Sequence, residues 1–324
     1  MTFIASVVAK KGVAIIADSL VTSAEPILHY QKFLDYLVSQ PNNEQGEKFI
    51  NPDNIINLFS SEPVFTKDYE EKLFKVNKYT AITTTGEAYI NGKNISDLIE
   101  EFKAPHNETL EDAAIPLEDK LSLFAAFLNE QIKAHIVTNS VMGYVVFIIT
   151  HYEKHSHKTK IFKATVYAVD NSHLDDDNYD YVTLEAEQEW AKVVCDGQNK
   201  ISEKVLYGIG KEMYERFPIF VNNILSKLNL PVGLVPENFI RDLIEDDYFN
   251  SIFYGDVALF NLNNLSLQQA VDLASLLMRL EVDFQKYTKN IPTVGGVIKL
   301  AVIDEIGFRF LSGDKVEVPK HINY

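Results

Sequence analysis

The stretch Thr2-Phe3-Ile4-Ala5-Ser6-Val7-Val8-Ala9-Lys10-Lys11-Gly12-Val13-Ala14-Ile15-Ile16-Ala17-Asp18 decides how this chain is read. Phe3 to Val8 predicts a strand, Lys10-Lys11-Gly12 a tight turn, and Val13 to Ala17 a returning strand. An antiparallel hairpin of this length returns Asp18 to the neighbourhood of Thr2. Thr2 carries a β-hydroxyl, and removal of Met1 gives the same residue a free α-amine. A threonine hydroxyl is a weak nucleophile until a base takes its proton, and an α-amine of reference pKa about 7.7–8.0 does this near neutral pH without a histidine. One residue then supplies both nucleophile and base. A threonine at position 2 is common, however, and alone carries little weight.

Further along, Asp18 opens Asp18-Ser19-Leu20-Val21-Thr22, Lys72 opens Lys72-Leu73-Phe74-Lys75-Val76, and Tyr79-Thr80-Ala81-Ile82-Thr83-Thr84-Thr85 leads to Gly86. In this order, with these spacings from Thr2 to Asp18 and from Lys72 to Gly86, the chain resembles the proteasome β-subunit and its bacterial relatives among the N-terminal-nucleophile hydrolases. The resemblance implies roles. Thr2 is the nucleophile, and Lys72 the positive charge that stabilises its ionised form and lowers the proton affinity of the neighbouring amine. Asp18 orients Lys72 through a charge-assisted hydrogen bond, and the Gly86 backbone N–H meets the developing oxyanion. Read from the residues alone, Asp18 as a turn residue and Lys72 as a solvated strand-start lysine stay open.

Two departures from the family pattern stand out. Where the family has a serine in a Gly-Ser-Gly turn, this chain has Val194-Cys195-Asp196-Gly197-Gln198, which aligns Asp196 with the serine. Where the family has an aspartate and a serine before a Gly-rich strand, this chain has Asn290 and Thr293 before Val294-Gly295-Gly296-Val297. Asp196 returning the carboxylate that Asn290 lacks is one reading, and an acidic turn residue is the other. The family's specificity-pocket positions fall on Val21, Glu70, Phe74, Thr84 and Ala88. The expected activity is a threonine-type amidohydrolase, foremost a proteasome-like endopeptidase, with a peptide or small amide as substrate. A catalytically inactive, proteasome-like assembly subunit is the alternative.

The chain has 324 residues, 46% of them apolar and 23% charged, which is a globular composition able to bury a large core. A formal charge of −16 disfavours a binder of nucleic-acid backbones. No apolar run approaches the length of a membrane span and the start lacks a signal-peptide pattern, so a cytoplasmic protein is expected. Cys195, the single cysteine, reads as a core residue. His151, His155 and His157 lie among lysines, and Asp175 to Asp177 form a separate acidic run, so no metal or cofactor is expected.

Helices are expected over Ile95 to Phe102, along the stripe Leu117, Leu121, Phe124, Leu128, Ile132, and over Gln198 to Phe217. Another is expected after the capping box Ser266-x-x-Gln269, with Ala270, Leu273, Leu277, Leu280 and Phe284 facing the core. Val141 to Thr150, Ile161 to Ala168, Val297 to Ile303 and Phe308 to Leu311 predict strands. This order suits the α+β fold of the resembled family, a four-layer αββα sandwich of two antiparallel sheets covered by helices. One domain spans 1–324, with insertions at about 24–67 and 217–264; Ile27 to Leu37 in the first is a candidate helix. The resemblance further implies a homo-oligomer.

Overall fold

The computed structural model describes residues 2–42, 46, 48, 50–67, 69–176, 179–188, 192–208, 211–229, 262–288 and 291–312. In chain order the elements are β1 (Phe3–Ala9), β2 (Gly12–Ala17), β3 (Val21–Leu28), α1 (Tyr30–Ser39), α2 (Pro52–Ile56), β4 (Phe59–Lys67), β5 (Leu73–Asn77), β6 (Thr80–Gly86), β7 (Tyr89–Ile90), β8 (Lys93–Asn94), α3 (Ile95–Glu111) and α4 (Leu117–Asn139). They continue as β9 (Val141–Met142), β10 (Val145–Glu153), β11 (Lys158–Val166), β12 (Val169–Asp170), β13 (Thr183–Ala186), β14 (Val193–Gly197), α5 (Lys200–Tyr207), α6 (Lys211–Lys227), α7 (Leu267–Gln285), β15 (Lys299–Asp304) and β16 (Gly307–Ser312).

Two five-stranded sheets form the body, ordered β14-β1-β2-β15-β16 and β13-β11-β10-β6-β5, and every pairing in them is antiparallel. The opening hairpin pairs Ile4 with Ala17 and Ala9 with Gly12. Gly12 has φ +143°, and a Cβ there would stand 2.6 Å from Ile303 O, so the tight turn needs glycine.

Three apolar clusters follow from strand alternation. Ile4, Val13, Ile15 and Ala17 of the first sheet meet Leu73, Ala81, Val146, Ile148 and Tyr152 of the second. The opposite faces of β1 and β2, with Phe3, Ala5, Val7, Ala14 and Ile16, pack against Ala270, Leu273, Ala274, Leu277 and Met278 of α7. On the second sheet, Phe74, Ile82, Phe147 and Ile149 pack with Leu98, Ile99 and Phe102 of α3 and Leu121, Phe124, Leu128 and Ile132 of α4. A strand whose two faces are both covered loses the apolar-polar alternation of a half-buried strand, which is why β2 is buried at every position. One polar pair bridges the first cluster, where Ser6 Oγ and Thr150 Oγ1 lie 2.8 Å apart with both residues buried.

Several expected boundaries shift. Ile27 and Leu28 belong to β3, and the helix begins at Tyr30; β3 and β4 form their own two-stranded sheet, with α1 and α2 between them. Gln198 to Phe217 is divided, because Gly208 at φ +76° closes α5 in a left-handed C-cap. Ser266 and Gln269 form the expected capping box of α7, but its inner face runs through Glu281 and Gln285, while Phe284 is exposed. From Ala270 onward, the helical repeat carries the inner stripe to those polar positions, whose backbone-bonding partners offset their burial. Most of the second insertion lies outside the described residues.

Candidate active site

Asp18 follows β2, the central strand of the first sheet, and Lys72 immediately precedes β5, an edge strand of the second, so each is held by a strand end. Both are buried, at 2% and 6% exposure. Lys72 Nζ donates to Asp18 Oδ1 at 3.0 Å and to Leu20 O at 2.5 Å. Asp18 Oδ1 also accepts from Phe3 N at 3.1 Å, and Oδ2 accepts from Gly295 N at 3.0 Å. The carboxylate therefore ties β1, the Lys72 segment and the Gly295 loop together.

Burial dominates the protonation of this pair. It pushes the Asp18 carboxyl above its ordinary value, opposed by Lys72 and by the Gly295 and Phe3 amides. It pulls the Lys72 ammonium below its ordinary value, opposed by Asp18 and then Glu70. Both displacements disfavour holding an isolated charge here, and the hydrogen-bonded pairing is what tolerates it.

Thr2, Lys72 and Gly86 line one cavity of about 1000 Å³. Asp18 supports it from beneath through Lys72. Val21, Glu70, Thr84 and Ala88 also line it, as do Thr85, Tyr144 and Asp196. Gly86 has φ +104°, and a Cβ on it would collide with Tyr144 O, so both backbone conformation and space require glycine. Thr2 is buried, its carbonyl accepts from Gln198 N at 2.5 Å, and Gly197 packs so closely that a Cβ there would strike Thr2 O. Lys72 Nζ forms no hydrogen bond to Thr2 Oγ among the described residues; with two donors engaged, one of its three N–H bonds remains.

The sequence-derived set is not gathered whole. Phe74 does not line the cavity: it is buried at 6% exposure in the cluster under α3 and α4, where its ring is taken up by helix packing. Asp196 lines the cavity, but its carboxylate pairs with Lys163 at 3.5 Å and accepts from Gly197 N at 2.7 Å. Thr293 donates from Oγ1 to Gln198 Oε1 at 2.6 Å. Asn290 and Met1 lie outside the described residues. Cys195, its thiol pushed up to about 12 by burial, stays protonated at neutral pH.

Three participants were missed in the sequence. Gln198 contacts both Thr2 and Thr293, the Gly295 amide holds Asp18, and Gln285 on α7 accepts from Thr293 N and from Val294 N at 3.2 Å. A glutamine interrupting the apolar repeat of α7 was the one readable signal; a backbone amide leaves none. No protein-family model matches the chain, and no curated protein matches it.

Proposed function

We propose that this chain is a threonine-type N-terminal-nucleophile amidohydrolase acting on peptides, with small amides as the second substrate class open to the same chemistry. The observation that carries the reading is the convergence of Thr2, Lys72 and Gly86 on one cavity, with Asp18 bonded to Lys72 behind it. These residues lie far apart in sequence, and they match the ordered motif of the proteasome-like family.

In this reading, release of whatever precedes Thr2 frees its amine. Thr2 Oγ attacks the amide carbon, and its proton passes to the amine directly or through water. The oxyanion is met by the Gly86 amide, a contribution worth about 3–4 kcal/mol for one such donor. The protonated amine then delivers its proton to the leaving nitrogen, and water hydrolyses the ester to restore Thr2. Lys72 supplies positive charge beside the nucleophile, and Asp18 keeps it there. The three apolar clusters support the four-layer αββα sandwich, since each cluster joins adjacent layers of that order.

The competing reading is a non-catalytic assembly subunit of the same fold, favoured by the absence of a Lys72–Thr2 hydrogen bond among the described residues. Hydrolysis of unfolded peptides and small amides by protein beginning at Thr2, without added metal, distinguishes the two. The amidohydrolase reading expects turnover that Thr2→Ala abolishes and Thr2→Ser partly keeps. Equal turnover, or none, in wild type and Thr2→Ala favours the assembly subunit.

A further inference from the structure

α7 presents an apolar stripe, Ala270, Leu273, Ala274, Leu277 and Met278, to the first sheet, and then two polar residues on the same face. Glu281 is 2% exposed and Gln285 8%. A polar side chain on such a face costs free energy unless fully bonded, so its presence marks a geometric task. Glu281 Oε1 accepts from Ile201 N at 3.0 Å and Ser202 N at 2.7 Å, the otherwise unpaired amides at the start of α5. This anchors the helix that follows the Gly197-Gln198 turn.

Gln285 lies one helical turn beyond Glu281. Its Nε2 donates to Glu281 O at 2.8 Å, which fixes the orientation of the carboxamide and turns Oε1 to the 293–295 loop. There Oε1 accepts from Thr293 N and Val294 N. The single hydroxyl proton of Thr293 goes to Gln198 Oε1 at 2.6 Å, nearer than Gln285 Oε1 at 3.3 Å. Gln198 N in turn holds Thr2 O, and the next residue of the loop, Gly295, gives its N–H to Asp18.

We infer that Gln285 is a positioning residue for Thr2, acting through two branches of one loop: Thr293 and Gln198 to the Thr2 carbonyl, and Gly295 to Asp18 and Lys72. The inference rests on the amidohydrolase reading and adds to it a residue that touches neither substrate nor nucleophile. A misplacement of the nucleophile by about 1 Å costs up to about 100-fold in rate, so a loop held by two amide bonds has leverage.

The test uses full-length protein beginning at Thr2 and p-nitrophenyl acetate. Thr2 Oγ forms a bond to the acetyl carbon, the bond to p-nitrophenolate breaks, and the hydroxyl proton moves to the Thr2 amine. The Thr2-dependent rate, corrected with Thr2→Ala, is followed against ester concentration. Gln285→Leu removes the acceptor at similar volume. Thr293→Val and Thr293→Ser test the next link and serve if Gln285→Leu does not fold.

The expected result is a fall of about tenfold or more in the saturating acylation rate for Gln285→Leu and Thr293→Val, with the half-saturating concentration unchanged. Thr293→Ser should retain most of the wild-type rate. Folded Gln285→Leu and Thr293→Val proteins that acylate at the wild-type rate, even with lowered melting temperatures, overturn the positioning role while leaving the amidohydrolase reading intact. A wild-type protein with no Thr2-dependent acylation overturns both.

Discussion

At the residue scale, the site depends on positions where small changes have defined consequences. Gly197 has φ +87°, and a Cβ would meet the Thr2 carbonyl and lie 2.8 Å from Thr85 Oγ1. Gly197→Ala should therefore destabilise the fold by about 1–3 kcal/mol and lower Thr2-dependent turnover, measured by urea unfolding and acylation. Lys72→Ala removes the buried cation of the cavity and leaves Asp18, among the described residues, with the Phe3 and Gly295 amides. Breaking a buried pair in this way costs about 3–5 kcal/mol, so Lys72→Ala should lose most turnover and also unfold at lower urea. The meeting of Thr2, Lys72 and Gly86 on one cavity, with Asp18 bonded to Lys72, could be anticipated because their order and spacing form a motif. Gln198 was not, since its contribution to Thr2 is a backbone amide whose direction only the folded turn sets.

At the element scale, β1, β2, β10, β11, α4 and the capping box of α7 were readable because strand and helix periods leave apolar patterns that burial requires. The far end of α7 misled, because the apolar Leu280 and Phe284 continued a plausible stripe while the inner positions were Glu281 and Gln285. Glu281→Ala should strand two α5 amides and cost about 2–4 kcal/mol of stability, read as a lower urea midpoint with unchanged slope. β10 carries a separate pH dependence. His151 Nδ1 lies 2.8 Å from Thr80 Oγ1 on β6, and burial, aided by Lys120 and Lys160 against Glu153 and Glu118, lowers its pKa to about 4. The unfolded chain takes up this proton near its ordinary value of about 6.5, so His151 makes stability fall as pH drops from about 6.5 to about 4. The urea midpoint should decline over that range by less in His151→Gln than in wild type; equal declines would remove His151 as the cause.

At the scale of the whole molecule, two antiparallel sheets meet through one apolar cluster, and Thr2 before β1, Lys72 before β5 and the ends of β6 and β14 border a common cavity. The succession of strands and helices made this arrangement readable. The pairing of β3 with β4 was less so, because β3, Val21-Thr22-Ser23-Ala24-Glu25-Pro26-Ile27-Leu28, leaves no apolar alternation. The family resemblance leads us to expect association beyond a monomer, which light scattering at micromolar concentration checks; a monomer there would rule out a closed ring as the source of selectivity. No described helix is long and apolar enough to cross a membrane. The central claim is that one residue is both nucleophile and base. Mass-spectrometric mapping of the acetyl group after reaction with p-nitrophenyl acetate tests it most directly, comparing protein that begins at Thr2 with protein that keeps Met1. The account predicts one ester-linked acetyl on Thr2 in the first, and none there in the second or in Thr2→Ala; acetylation of Thr2 Oγ to the same extent with Met1 retained, or no Thr2 adduct in either protein, would contradict it.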